Sequence, residues 1–110
     1  MGRFVKGDVV VVPFPFSDLT QAKRRPALVL AAPQGSDPIL CQITSQNVRD
    51  EYAVALAETD TQGGSLRRPS NVRPNRLFTA HPGIILYKVG GLTAEKMREV
   101  VDRVVEIVRG

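Results

Sequence analysis

Before Thr93, every apolar run in this chain is ended within a few residues by a proline, a glycine or a polar side chain. Runs that short cannot build the amphipathic helices of a bundle, but they suit strands joined by tight turns. Eight prolines and nine glycines supply the breaks across 110 residues. That length holds one hydrophobic core and therefore one domain, residues 1–110.

The run DVVVV, Asp8 to Val12, is β-branched and bounded by Gly7 and Pro13, so it reads as a buried strand. PALVLA from Pro26, ILCQIT from Ile39 to Thr44 and YAVALA from Tyr52 to Ala57 predict three more, with Pro26 tolerable only at a strand start. Between the first two lies PFPFSDLTQAKRR, whose alternating Pro13 and Pro15 predict a long loop of the kind that often carries function. PSNVRPNRLFT is expected to break at Pro69 and Pro74 into short extended pieces, and GIILYKV, Gly83 to Val89, to form a strong strand. After Thr93 the period changes. Met97, Val100, Val101, Val104, Ile107 and Val108 recur at helical spacing, with Thr93 as N-cap, Glu95 in the first turn, and Arg109 and Gly110 at the end. The expected fold is mainly β with α: a small, strongly bent barrel of five to seven short strands plus a C-terminal amphipathic helix.

The net charge of +4 understates how the cations cluster, as Lys23-Arg24-Arg25, as Arg67-Arg68, and as Arg73 with Arg76. Arginine clusters favour polyanions such as nucleic acid or an acidic peptide. A single cysteine excludes an intramolecular disulfide and a Cys-rich zinc site. The start MGRFVKGD lacks an apolar signal core, and no apolar run approaches the ~18 residues of a membrane helix, so no membrane association and a cytoplasmic location are expected.

His81 is the only histidine, which excludes paired-imidazole acid/base catalysis within one chain. It sits in the turn TAHPG and reads as a loop residue; Cys41 reads as a small buried hydrophobe. The acids are scattered rather than convergent on a metal, so no cofactor is expected. Gly63-Gly64 and Gly90-Gly91 lack the Lys-Ser/Thr sequel of a phosphate loop, and no Gly-x-Ser-x-Gly elbow occurs. What remains is arginine and hydroxyl at two strand ends. If the second and third strands are antiparallel neighbours, Arg25 at the start of one lies beside Thr44 and Ser45 at the end of the other, and a guanidinium beside a hydroxyl suits a phosphate. The residues alone leave another reading of Lys23 to Arg25 open, a solvated segment that keeps a strand edge from aggregating.

Four segments in order, KGDVVVVPFPFSDLTQAKRRPALVL, ITSQ, PSNVRPNRLFT and YKVGGLTAEKMREV, resemble the MazF/PemK family of type II toxin endoribonucleases over nearly the whole chain. The PFPF variant looks like the PemK-like branch. The resemblance implies an SH3-like barrel, a homodimer with its grooves near the subunit interface, and neutralisation by a cognate antitoxin protein. It also implies metal-independent cleavage of single-stranded RNA by attack of the 2′-OH, leaving a 2′,3′-cyclic phosphate and a 5′-OH. The family's catalytic arginine before a proline and the threonine ending the third strand match Arg25 and Thr44. Lys23, Arg24, Ser45, Gln46, Ser70, Arg73 and Arg76 are the implied RNA contacts. An acidic residue in the first loop assists some members; here Thr20 occupies that neighbourhood with Asp18 close by, and the role stays open between them. Two other functions stay open: a gyrase-inhibiting toxin of the same fold, whose functional end usually bears an aromatic where this chain ends EIVRG, and a non-catalytic module that binds nucleic acid or antitoxin.

Overall fold

The computed structural model describes residues 4–14, 23–45, 51–64, 66 and 68–110. Seven strands form one antiparallel sheet: β1 (Asp8–Phe14), β2 (Lys23–Ala31), β3 (Ile39–Thr44), β4 (Val54–Leu56), β5 (Thr61–Gln62), β6 (Ser70–Thr79) and β7 (Tyr87–Leu92), followed by the helix α1 (Ala94–Arg109). Their spatial order is β4-β6-β3-β2-β1-β7-β5. A flat sheet would make a slab, whereas the molecule measures 32 × 30 × 30 Å. The sheet is therefore bent into the nearly closed barrel that the sequence leads one to expect.

Alternation along the strands sorts the apolar residues into two clusters, one on each face. Val9, Leu28, Leu30, Cys41, Ile43, Val54, Leu56, Val72 and Leu92 form the larger, with Met97 and Val100 of α1 packed on it. Val10, Val12, Ala27, Val29, Leu40, Ala80 and Ile85 form the second, with Phe4 and Phe78 against it. The helix begins as expected: the Thr93 hydroxyl accepts a hydrogen bond from the Lys96 amide at 3.2 Å. Lys96 then ties α1 to the turn before β5 through Asp60, 3.5 Å away.

Several strands differ from the sequence expectation: β1 runs on through Pro13 to Phe14, β4 keeps only Val54–Leu56 of the expected Tyr52–Ala57, and the two-residue β5 was not expected. β6 does not break at Pro74 but runs from Ser70 to Thr79. Its register jumps so that Cys41 faces Leu77 while Gln42 faces Arg73, and the bulge absorbs the proline. The strand expected over 83–89 starts later, because residues 82–84 turn as a short 3-10 segment and the buried Ile85 turns inward. β7 then continues through Gly90 and Gly91. Glycine is required at position 90, where a Cβ would stand 2.8 Å from the carbonyl oxygens of both Gln62 and Gly64. Finally, β2 starts at Lys23 rather than Pro26, so the three cations belong to a strand and not to the preceding loop.

Candidate nucleic-acid interface

Lys23, Arg24 and Arg25 pair with Phe14, Pro13 and Val12 of β1. Side chains alternate along a strand, so Lys23 and Arg25 leave on the face of Ala27 and Val29, while Arg24 leaves on the opposite face with Leu28 and Leu30. All three cations are exposed. The triplet is thus split between the two faces of the sheet.

Pro26 shapes the rim on which Arg25 sits. The Val11 carbonyl accepts from the Leu86 amide, so the polar groups of Val11 point toward β7. Its partner Pro26 therefore presents its own edge to β3, where it has no N–H to donate. The last β2–β3 rung is accordingly Ala27 opposite Gln42. Continuing this register two residues sets Arg25 level with Thr44, past that rung, on neighbouring strands about 5 Å apart where they are still paired.

Thr44 pairs on its other side with Asn71, and Gln42 with Arg73. Leu40 belongs to the second cluster, so Gln42 and Thr44 share its face, and Asn71 and Arg73 follow as their directly opposed partners. One face therefore carries two polar rows, Arg25-Thr44-Asn71 and Ala27-Gln42-Arg73, with Lys23 beyond them. Arg73 is half-buried and buries its Nε. Phe14 and Phe78 extend an apolar floor beside these rows, their rings 5.6 Å apart and tilted by 47°. Guanidinium groups, a hydroxyl and amides beside aromatic faces can hold phosphates and stack bases.

The other expected contacts fall in different places. Ser45 is exposed just after β3, and Arg76 is exposed within the β6 bulge. Ser70 is only 6% exposed. Its hydroxyl donates to the Arg68 carbonyl at 2.9 Å, so the structure does not bring it together with the polar rows. Gln46, Asp18 and Thr20 lie outside the described residues. Gln42, Asn71, Phe14 and Phe78 were not anticipated as members of the site. Asn71 could have been found by pairing QIT with NVR in register, since each segment has one inward isoleucine or valine flanked by polar residues. Among the described residues, no group of three His, Cys, Asp or Glu side chains converges.

A small, nearly closed barrel capped by one helix is the class of domain this chain forms. Solved structures share that fold along almost their whole length. An endoribonuclease in complex with its cognate antitoxin from a mycobacterial species superposes with a TM-score of 0.74 at 13% identity, covering 99% of this chain and 96% of that one. A MazE-MazF structure from Deinococcus radiodurans gives 0.71 at 20% identity, covering 96% and 94%. A second mycobacterial endoribonuclease gives 0.75 at 15% identity, covering 99% and 94%. Identities this low establish the fold alone. Among curated protein sequences nothing matches. The family model for the PemK-like, MazF-like toxin of type II toxin-antitoxin systems matches residues 5–108, and the chain belongs to that family.

Proposed function

We propose that this toxin is an endoribonuclease that cleaves single-stranded RNA at the rim where Arg25 and Thr44 stand level on adjacent strands. What carries the reading is the β2–β3 register, which, continued two residues past its last rung at Ala27 and Gln42, brings the two level. The 2′-OH of one nucleotide loses its proton to water as its oxygen bonds to the adjacent phosphorus, the P–O5′ bond breaks, and the departing 5′-oxygen takes a proton back from water, leaving a 2′,3′-cyclic phosphate and a 5′-OH. Charge accumulates on the phosphorane oxygens during the attack. The planar guanidinium of Arg25, a fork of donors with no acceptor, is suited to stabilise that charge and to hydrogen-bond the departing 5′-oxygen rather than to act as a base. Thr44 orients the phosphate. Lys23, Arg73, Arg76, Ser45 and Gln46 follow the backbone on either side, Arg24 reaches it from the other face of β2, and Ser70 holds the turn at Arg68.

Antitoxin recognition and homodimer formation belong to the same proposal. The named neighbours include structures with MazE or a cognate antitoxin. An apolar stripe on α1, Val101, Val104, Val105 and Val108, starts at the core and grows steadily more exposed, to 40% at Val105 and 74% at Val108. Its spacing is that of one helix face, which favours burial against a second copy. Among the described residues no helix is long and apolar enough to cross a membrane; action in the cytoplasm is part of the proposal.

The test is incubation of the purified protein with a mixed single-stranded RNA pool in EDTA, followed by mapping of ends. New 5′-OH ends support the reading. Intact RNA together with stalled gyrase overturns it.

A further inference from the structure

The bulge in β6 places Pro74, Asn75 and Arg76 between two residues that face adjacent positions of β3. Such an insertion takes backbone groups out of the ladder and leaves them needing other partners. At this point the Arg73 carbonyl accepts a hydrogen bond from the Cys41 thiol, with Sγ 2.9 Å from the oxygen. The alternative acceptor, the Gln42 carbonyl, is 4.0 Å away. Cys41 is 0% exposed, and Pro74 beside it is also fully buried. Burial pushes the thiol up to about 12, opposed only in part by the Arg73 backbone, so the proton stays on sulfur and the thiol remains a donor.

The two side chains leave opposite faces of the sheet. Cys41 points into the larger cluster with Leu28 and Ile43. Arg73 leaves beside Gln42, in the row next to Thr44 and Asn71. The thiol thus grips the Arg73 backbone from the core side while the guanidinium lies on the side of the proposed RNA. Two strands across and two residues along separate Arg73 from Arg25, roughly 12 Å between Cα positions, which is room for two phosphates.

We propose that Cys41 is a positioning residue for RNA: its hydrogen bond to the Arg73 carbonyl fixes the β6 bulge, and the bulge aims the Arg73 guanidinium at a phosphate next to the scissile one. This rests on the RNA-cleaving reading above.

A double-mutant cycle with Cys41→Ala and Arg73→Ala tests it, with Cys41→Ser as the conservative rescue, since a hydroxyl still donates although its reach is a few tenths of an ångström shorter. Each protein is assayed for cleavage of a single-stranded RNA and for binding of the same sequence with 2′-O-methyl groups, which block attack; melting temperature is recorded alongside. Cys41→Ala is expected to raise KM and Kd by about three- to tenfold, the size of one lost hydrogen bond, with kcat within about twofold. Cys41→Ser should stay within about twofold of wild type in all three. In the Arg73→Ala background, Cys41→Ala should raise Kd no further, because the residue it positions is gone. Each single alanine variant should also flatten the salt dependence of log Kd by about one phosphate contact, a slope change of ~0.7. A purely structural cysteine would lower the melting temperature in both backgrounds and leave the losses multiplicative, and that result overturns the proposal, as does an unchanged Kd for Cys41→Ala. If wild type neither binds nor cleaves RNA, the RNA reading falls and takes this inference with it. If wild type cleaves and the cycle is multiplicative, only the inference falls.

Discussion

Replacing Arg25 separates chemistry from folding more sharply than any other change in this molecule. Arg25 is exposed and lies past the last β2–β3 rung, so its removal takes no atom from either core cluster. A surface substitution of this kind changes stability by at most about 0.5 kcal/mol. An unfolding entropy of about 2.1 cal/mol/K per residue gives roughly 0.23 kcal/mol/K for a chain of this length, so the melting temperature should move by no more than about 2 °C. The catalytic effect is of another size. A preorganised donor to developing charge contributes about 10²- to 10³-fold in rate, or about 2.7–4 kcal/mol. Arg25→Ala is therefore expected to lose cleavage of a fluorescent single-stranded RNA by that factor while melting like wild type. Arg25→Lys keeps the charge but not the planar fork, and should recover only a minor part of the rate. An Arg25→Ala protein that melts like wild type and cleaves at the wild-type rate would falsify the assignment of this rim as the reacting site.

Other expectations concern the fold and its titration. Leu28→Ala empties a fully buried position of the larger cluster and should cost about 2–5 kcal/mol, a fall of roughly 10–20 °C in a thermal melt; a loss within about 2 °C would show that the cluster is not the core. Gly64→Ala drives a Cβ into the Val89 carbonyl oxygen and should cost about 1–3 kcal/mol beyond its backbone strain, whereas Gly35→Ala, at φ +77° with nothing within 4 Å of its Cβ, carries the strain alone; equal losses in denaturant titration would count against the close approach of Gly64 to β7. The Cys41 thiol, raised from 9.0 to about 12, makes stability depend on alkaline pH. Below pH 9 the thiol is protonated in both folded and unfolded chains and its contribution is complete; above it the unfolded chain alone loses the proton, until the folded thiol ionises near 12. Between pH 8 and pH 10, wild type should therefore lose about 1 kcal/mol more than Cys41→Ala in urea titrations, and parallel curves would refute the burial argument.

What could be read from residues alone was decided by how local the signal is. The strand from Ile39 to Thr44 was legible to the residue because its period-2 pattern ends at a polar TSQ. The helix was legible because an N-cap hydroxyl and a 3.6-residue period coincide at Thr93. The longer β6 was not, since a proline in a strand reads as a break unless a bulge opposite it is known, and that bulge is a property of the pairing with β3. β7 was misplaced because glycine is a turn signal in sequence, whereas Gly90 serves a close approach of two backbones. At the site, Arg25 and Thr44 could be brought together by strand adjacency alone. The splitting of Lys23 and Arg24 onto opposite faces required knowing that they lie inside β2, and the partners Gln42 and Asn71 required its register with β3 and β6.

The two strands that end the sheet have a bearing on how any protein partner can attach. β4 spans Val54–Leu56 and β5 only Thr61–Gln62. Extending a sheet by an incoming strand needs a run of free backbone groups, and these edges offer three and two residues. Among the described residues, then, β4 and β5 are too short to template a foreign strand, while β6 runs on past β4 from Arg73 to Thr79 and β7 meets β5 only at Gly91 and Leu92. A strand added by a protein partner would have to seat beyond β4 or β5; elsewhere recognition falls to side chains, through charge and apolar contact on the faces of the barrel and along α1. Selection on such a pair would be free to rewrite the partner's contacts one side chain at a time without disturbing the sheet.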